Sequence, residues 1–464
     1  MKNYSQDRKK VSDLKIAYIG GGSRGWAYSL MRDLACEADI SGTIALYDID
    51  YEAAKMNEKI GNMISQKEET LGKWKYEAKE TIGEALTGSD FVIISILPGT
   101  FDEMESDVHT PEKYGIYQSV GDTTGPGGII RSLRTVPMFQ EFALAIKEYC
   151  PDAWVINFTN PMTVCVRTLY KVFPEIKAFG CCHEVFSTQN LICKMLAEKF
   201  GIQAKREEII TNVVGVNHFT WVTEAKYKDI DIYKLYKEYV ESHPNGVVKH
   251  SENNWVELPD RTAEKVKFDL FKRYGVIAAA GDRHLAEFCN GSWYLKDPET
   301  VDAYGFTLTP IPWRKKNLID RLKRAEGHAS GEVPFTVQPS GEESVKQIKA
   351  LLGLGDFVTN VNIPNMGQVP NNPLEAVVET NAAFSSNSVR PVFAGKVPER
   401  INALVMRIIE EQEAVVEAGL TGNYELAFSV FVNNPNVNLP IDKARELFDK
   451  MLEKTKAYLP YYKA

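Results

Sequence analysis

Five short segments hold the residue types that chemistry uses. Gly20-Gly-Gly22-Ser23-Arg24-Gly25 is a G-x-G-x-x-G run, and Gly121–Arg134 reads GDTTGPGGIIRSLR. Asn157–Met162 reads NFTNPM, Cys181–Val185 reads CCHEV, and Gly215–Trp221 reads GVNHFTW. The glycine run suits a tight turn in which the backbone approaches a pyrophosphate at a helix N-terminus. Asp48 stands 23 residues beyond Gly25. A carboxylate near that spacing accepts hydrogen bonds from a ribose 2′-hydroxyl and repels a 2′-phosphate, which favours NAD over NADP. Alone, Asp48 could equally cap a helix. Cys182 and His218 offer a thiolate and an imidazole, both good ligands for a divalent transition metal. Two ligands are an incomplete sphere, which a substrate with adjacent oxygens would have to complete; a buried cysteine and a hydrogen-bonded histidine are the plainer alternative.

These residues need elements to hold them. Strands are expected at Lys15–Gly20, Thr43–Tyr47, Asp90–Ile96, Trp154–Asn157 and Ala178–Gly180, separated by helical periodicity such as Tyr51–Gln66 and Pro137–Tyr149. That alternation predicts a Rossmann-like, doubly wound parallel sheet over residues 1–205. The chemical segments begin where strands end or helices start, and the carboxyl ends of the strands line the ligand crevice of such a sheet. Beyond Lys205, Glu208–Val216 and Phe219–Tyr227 read as longer alternating strands, followed by a polar stretch near Pro244–Pro259. Pro398–Tyr458 reads as helix with a break at Gly419 and Gly422. Residues 206–464 are therefore expected to form an α+β second domain, with the site between the two.

Composition narrows the class. The chain has 464 residues, 44% hydrophobic and 25% charged, with a net charge of −8, which excludes disordered and collagen-like chains. An acidic balance argues against binding nucleic acid or an anionic membrane. Seven scattered cysteines without a C-x-x-C pair indicate neither a disulfide framework nor a zinc ribbon, so reduced thiols in a cytoplasm are expected. No apolar run is long enough to span a bilayer, and residues 1–15 have no apolar signal core.

Taken together, GGGSRGW, TTGPGGIIRSLRTVP, NFTNPM, Cys182–Val185 and VNHFTW resemble glycoside hydrolase family 4, the NAD- and manganese-dependent glycosidases, over nearly the whole chain. Cys-His-Glu-Val is similar to the α-galacturonidase branch, whereas phosphosugar members show Cys-Asp or Cys-Asn. This family stands outside two-carboxylate glycoside hydrolysis. The resemblance implies oxidation of the sugar at C3 by NAD, removal of the C2 proton, elimination of the glycosidic oxygen, water addition and return of the hydride. It also implies a C-terminal architecture like that of lactate and malate dehydrogenases, and a homodimer or homotetramer. Within the family the alternatives are an α-glucuronidase or α-galactosidase. Outside it, an NAD-dependent hydroxyacid or sugar dehydrogenase would share the glycine run and Asp48 but leave Cys182 and His218 unexplained.

Carried over residue by residue, the resemblance gives Gly20, Gly22, Ser23, Arg24, Gly25 and Asp48 to the cofactor. Cys182 and His218 match the metal ligands, His183 the leaving-group acid, and Asn160 a contact to a substrate hydroxyl. Asp282 matches the C2 base, with His284 as the fallback, although an acid after a glycine could also cap a helix. Asp122 touches substrate or a metal-bound water, or else caps a helix over Ile129–Arg134. A uronate needs a guanidinium for its C6 carboxylate, and Arg283, Arg131 and Arg134 are the candidates. Glu184 would repel that carboxylate, so it is assigned to hydroxyl contacts or to orienting a neighbour.

Overall fold

The computed structural model describes residues 2–247, 249–250 and 261–461. Part of the polar stretch near Pro244–Pro259 lies outside the described residues. Strand Val11–Ile19 pairs in parallel with Ile40–Tyr47 on one side and with Phe91–Ile94 on the other. Trp74–Lys79 continues one flank, and Trp154–Asn157 and Lys177–Gly180 continue the other. The spatial order of these six strands is third, second, first, fourth, fifth, sixth, the Rossmann order with its switch point between the first and fourth. Helices cover both faces, so Phe91–Ile94 is at most 2% exposed at every residue. Such burial contributes roughly 1.5–3 kcal/mol for each large apolar side chain and explains why the central strands read as unbroken apolar runs.

Three strands from the second half extend this sheet. Phe357–Pro364 joins Lys177–Gly180 antiparallel through Asn362 and Gly180, and Val377–Ser385 and Ser388–Pro391 follow. Sequence patterning gives no strand there, because buried Asn360, Asn362, Glu379 and Thr380 interrupt the apolar alternation. A second, antiparallel sheet pairs Ile210–Val216 and Ile277–Ala278 with Phe219–Tyr227. The two halves thus share one large sheet and a common boundary.

The expected Pro137–Tyr149 helix starts twelve residues earlier, at Gly125. Pro126 falls in its first turn, where a missing N–H costs nothing. The glycine-rich run is therefore the opening of a 25-residue helix, and Arg131 and Arg134 lie on buried turns within it. In the C-terminal helix Glu399–Thr421, Gly419 does not break the chain; a Cβ there would lie 2.6 Å from Val136 Cβ, so the glycine permits close helix packing. Gly422, at φ +71°, ends the helix.

One buried ion pair ties the front of this layer together. Arg134 is fully buried and donates to both oxygens of Asp107, at 3.1 and 2.5 Å, and to Pro98 O at 2.9 Å. This joins the helices Phe101–His109 and Gly125–Tyr149 beneath the site. Removing one member strands the other charge in the interior. Asp107→Asn is expected to cost about 3–5 kcal/mol, measured as a lower midpoint in urea unfolding; a change under about 1 kcal/mol would contradict the pairing.

Candidate active site

The glycine run sits as its residue types demand. Gly20 has φ +91°, and a Cβ there would stand 2.1 Å from Ser95 O. A Cβ on Gly22 would meet Ala53 Cβ at 2.6 Å and Asp48 Oδ2 at 2.9 Å. Asp48 accepts from Gly22 N and from Asp50 N, both at 2.9 Å, so its carboxylate also shapes the loop. Asn57, which has no sequence signature, donates to Gly21 O at 2.7 Å and Ser23 O at 3.0 Å and locks the turn from below. Arg24 faces Asp50 Oδ2 at 3.6 Å. No side chain caps the helix Trp26–Ala35 at Gly25. Its first-turn N–H groups therefore stay open to an acceptor, the arrangement that suits a dinucleotide pyrophosphate.

At the carboxyl edge of the sheet, Asp122, His218 and His284 bring one ligand atom each within 4.8 Å of the others. They come from three separate segments. His218, at φ +64°, turns the chain between Ile210–Val216 and Phe219–Tyr227. Its Nδ1 lies 2.9 Å from Thr123 Oγ1, which donates to Asp122 Oδ1 at 2.7 Å. A hydroxyl has one proton, so Thr123 accepts from His218, and the imidazole must carry its proton on Nδ1. That leaves the Nε2 lone pair for a cation. Burial, with His284 beside it, pushes His218 down to about 3, so the ring is neutral, as a metal ligand must be. Burial opposes ionisation of Asp122, but Arg131, His218 and His284 outweigh it and hold the carboxyl at about 2. One carboxylate and imidazole nitrogens suit a divalent transition metal.

His284 stacks on His218 with ring centres 3.7 Å apart. Its Nε2 faces Glu184 Oε1 across 3.6 Å, and its Nδ1 is buried without a hydrogen-bond partner. Glu184 opens the helix Glu184–Phe200 and accepts from Gly281 N at 2.8 Å. Burial works against its ionisation, yet the three histidines hold its carboxyl at about 2. Glu184 thus stands between Gly281 and His284.

Cys182 lies outside the trio. Burial, with Glu379 and Glu184 nearby, raises its thiol well above the usual range. Its carbonyl accepts from Asn360 Nδ2 at 3.2 Å, and Asn360 also donates to Glu379 at 2.7 Å. His183 is half exposed, stacks on Trp26 and faces Glu342 Oε1 at 3.4 Å. Partial burial opposes its protonation, but Glu342 and Glu184 raise its pKa. Asn160 offers a buried Oδ1 without a partner, while its carbonyl accepts from Arg131 Nε at 3.1 Å. Arg283 donates to Ser119 O and Thr309 Oγ1. Arg134 is committed to Asp107.

Asp282 is not brought to the cluster. Fully buried, it accepts from Lys267 N at 3.0 Å and sits beside Glu264; burial first, then Glu264, pushes its carboxyl up to about 7. Asp282 and His284 lie about 200° apart around one helix, so only one can face the crevice. Asp122 does not cap a helix at Ile129, since Thr124 precedes the helix start. Unsignalled residues join the site instead. Glu287 holds Val120 N and Gly121 N at 2.7 and 2.8 Å. The buried amide of Asn217, beside His218, lies against Cys182 and Glu379, and Arg314 adds a cation near Arg283 and Asp122.

Residues 15–198 match the family described as Family 4 glycosyl hydrolase, and residues 213–437 match the Family 4 glycosyl hydrolase C-terminal domain. The chain belongs to glycosyl hydrolase family 4. Among its family 4 relatives, the alpha-galacturonidase of Thermoanaerobacterium saccharolyticum is 61% identical over 98% of each chain. That of Bacillus subtilis is 51% identical over 96% of this chain and 98% of its own. A crystal structure of the Bacillus subtilis protein lplD, 52% identical, superposes with a TM-score of 0.90 over 95% of this chain and 100% of that one. A 6-phospho-alpha-glucosidase from gut microorganisms, solved in complex with NAD and Mn2+, shares the fold at a TM-score of 0.79 and 21% identity, covering 97% of this chain and all of that one.

The Thr123 hydroxyl gives this family 4 site a direct test. Thr123→Val keeps the shape and removes the group that sets the His218 tautomer. Affinity for Mn2+, titrated on the purified protein by electron paramagnetic resonance, is expected to fall about 10–100-fold. Unchanged affinity would remove His218 from the ligand set.

Proposed function

We propose that this family 4 glycosyl hydrolase cleaves α-galacturonides with NAD and a divalent cation as cofactors. The observation that carries the reading is the convergence of Asp122, His284 and Glu184 on the buried His218, in a chain whose glycine-run helix is left uncapped. The substrate follows from relatives named alpha-galacturonidase at 51–61% identity over nearly full length. In this reading residues 1–205 hold NAD, and residues 206–464 supply His218, His284 and Arg283.

Asp122 and His218 fit a cation as they stand. Cys182 fits as the thiolate that a cation creates, since a positive charge there would relieve the two carboxylates that now raise its pKa. When bound, NAD supplies a hydride acceptor and the divalent cation a Lewis acid. The bare Oδ1 of Asn160 accepts a sugar hydroxyl and holds the ring. His284 takes the C2 proton on Nδ1, with Glu184 facing the opposite nitrogen and steadying the imidazolium, the orienting role a carboxylate plays beside a catalytic histidine. Asp122, held near 2, is too weak a base at neutral pH. His183 sits at the open rim, where Glu342 favours its protonated form, and gives a proton to the departing oxygen.

Seven free cysteines support a reducing, cytoplasmic setting, and among the described residues no helix is long and apolar enough to cross a membrane. Exposed Met366, Leu374 and Phe393 support self-association as a homodimer or homotetramer.

Deuterium exchange at C2, followed by proton NMR with an aryl α-galacturonide, NAD and Mn2+, tests the assignment. His284→Gln is expected to lower exchange and kcat together by about 10²–10⁴-fold, while Asp282→Asn retains exchange. The reverse result would return the base to Asp282. Stoichiometric accumulation of NADH in the wild type would identify a dehydrogenase.

A further inference from the structure

Arg314 is the fourth residue of the helix Ile311–Ser330, in a segment that carries no motif. The start of that helix is fastened to the site. Thr309 Oγ1 donates to Ser119 O at 2.6 Å, and Arg283 donates to both Thr309 Oγ1 and Ser119 O, at 2.6 and 2.8 Å. Ile311 N donates to His109 Nε2 at 3.4 Å. Ser119 lies three residues before Asp122, so the first turn of the helix is held against the strip of chain that carries the carboxylate.

The arginines around Asp122 differ in what they already do. Arg134 is consumed by Asp107 and Pro98 O. Arg283 forms the Ser119 and Thr309 knot, and Arg131 uses Nε to hold Asn160 O. Arg314 Nε is buried without a hydrogen-bond partner, as is Arg131 NH1. A buried guanidinium donor with no acceptor is costly unless a ligand supplies one.

The charges point the same way. Arg131 and Arg314 both act on the carboxylate of Asp122, and Arg283 stands beside Arg314. Glu287 does not balance them, because burial and Asp122 push its carboxyl up to about 8, leaving it mostly neutral at pH 7. Burial and the neighbouring arginines lower Arg314 only to about 10, so it keeps its charge. The pocket therefore holds more positive than negative charge inside an acidic protein. Arg321 and Arg324, seven and ten residues further and so on the same helical face, continue the cationic lining into a cavity of about 540 Å³ beside Arg24 and Gly25.

We infer that Arg314 distinguishes a uronide from a neutral sugar, receiving the C6 carboxylate on its guanidinium with the free NH1 of Arg131 beside it. A planar fork matches a carboxylate through two parallel hydrogen bonds and a hydroxymethyl group through neither charge nor geometry. The inference rests on the galacturonidase reading above and adds the residue that sets its selectivity.

Arg314→Gln and Arg314→Lys, assayed with NAD and Mn2+ on aryl α-galacturonide and aryl α-galactoside, test it. Arg314→Gln is expected to raise KM for the galacturonide tenfold or more with kcat within threefold, and the preference over galactoside should fall by the same factor. Arg314→Lys should lose less, because charge remains and the fork does not. Lys316→Gln, on the exposed face of the same helix, should change neither. Unchanged KM, or equal loss on both substrates, overturns the inference. If Arg314→Gln does not fold, the selectivity of the lysine variant decides. A wild type that turns over no galacturonide at all would instead overturn the reading on which the inference rests.

Discussion

One proton organises this site. Thr123 gives its hydroxyl proton to Asp122 and so can only accept from His218. The imidazole is thereby held in one tautomer with Nε2 bare, and the carboxylate is kept aligned beside it. Everything around the trio protects that arrangement. Glu287 pins the backbone of Val120 and Gly121 just before Asp122, and Gly125 opens the helix immediately behind it. The positive φ of His218 projects the ring inward from a two-residue turn.

The fold exists to make such separated groups meet. A six-strand parallel sheet in Rossmann order places the glycine run, Asn160 and Cys182 along one edge. The second half then closes over that edge in two ways. Its antiparallel sheet delivers His218 and, through the helix Asp282–Phe288, His284. Its strands Phe357–Pro364 and Val377–Ser385 extend the first sheet and bring Asn360 and Glu379 beneath Cys182. The polar residues that spoil the strand pattern in this segment are those that support the site, a conflict between local and global preference often found at functional positions.

Buried charge is the constraint these arrangements answer. Asp107 with Arg134 is a closed pair and serves the scaffold. Around Asp122 and Glu184 the balance is open, with both carboxyls held at about 2 among groups that face the crevice. An interior with unspent donors and surplus cations is stable only while packing over-determines it, and such groups cluster where a ligand completes them.

Local sequence determined the glycine run, the parallel-sheet class and the residue types at the crevice, because turns, apolar periodicity and helix starts depend on neighbours a few positions apart. The family likeness in CCHEV and VNHFTW also resides in the linear chain. Which residues share the site was a tertiary matter. Asp282 and His284 are two positions apart and equally eligible by type, yet one turn of helix points the carboxyl toward Lys267 and the imidazole toward His218. Asn57, Glu287 and Arg314 have no motif, since their partners are distant in sequence and their roles arise only when the chain has closed. A residue's type states what chemistry it could do, and the direction of its side chain after folding decides whether it does it.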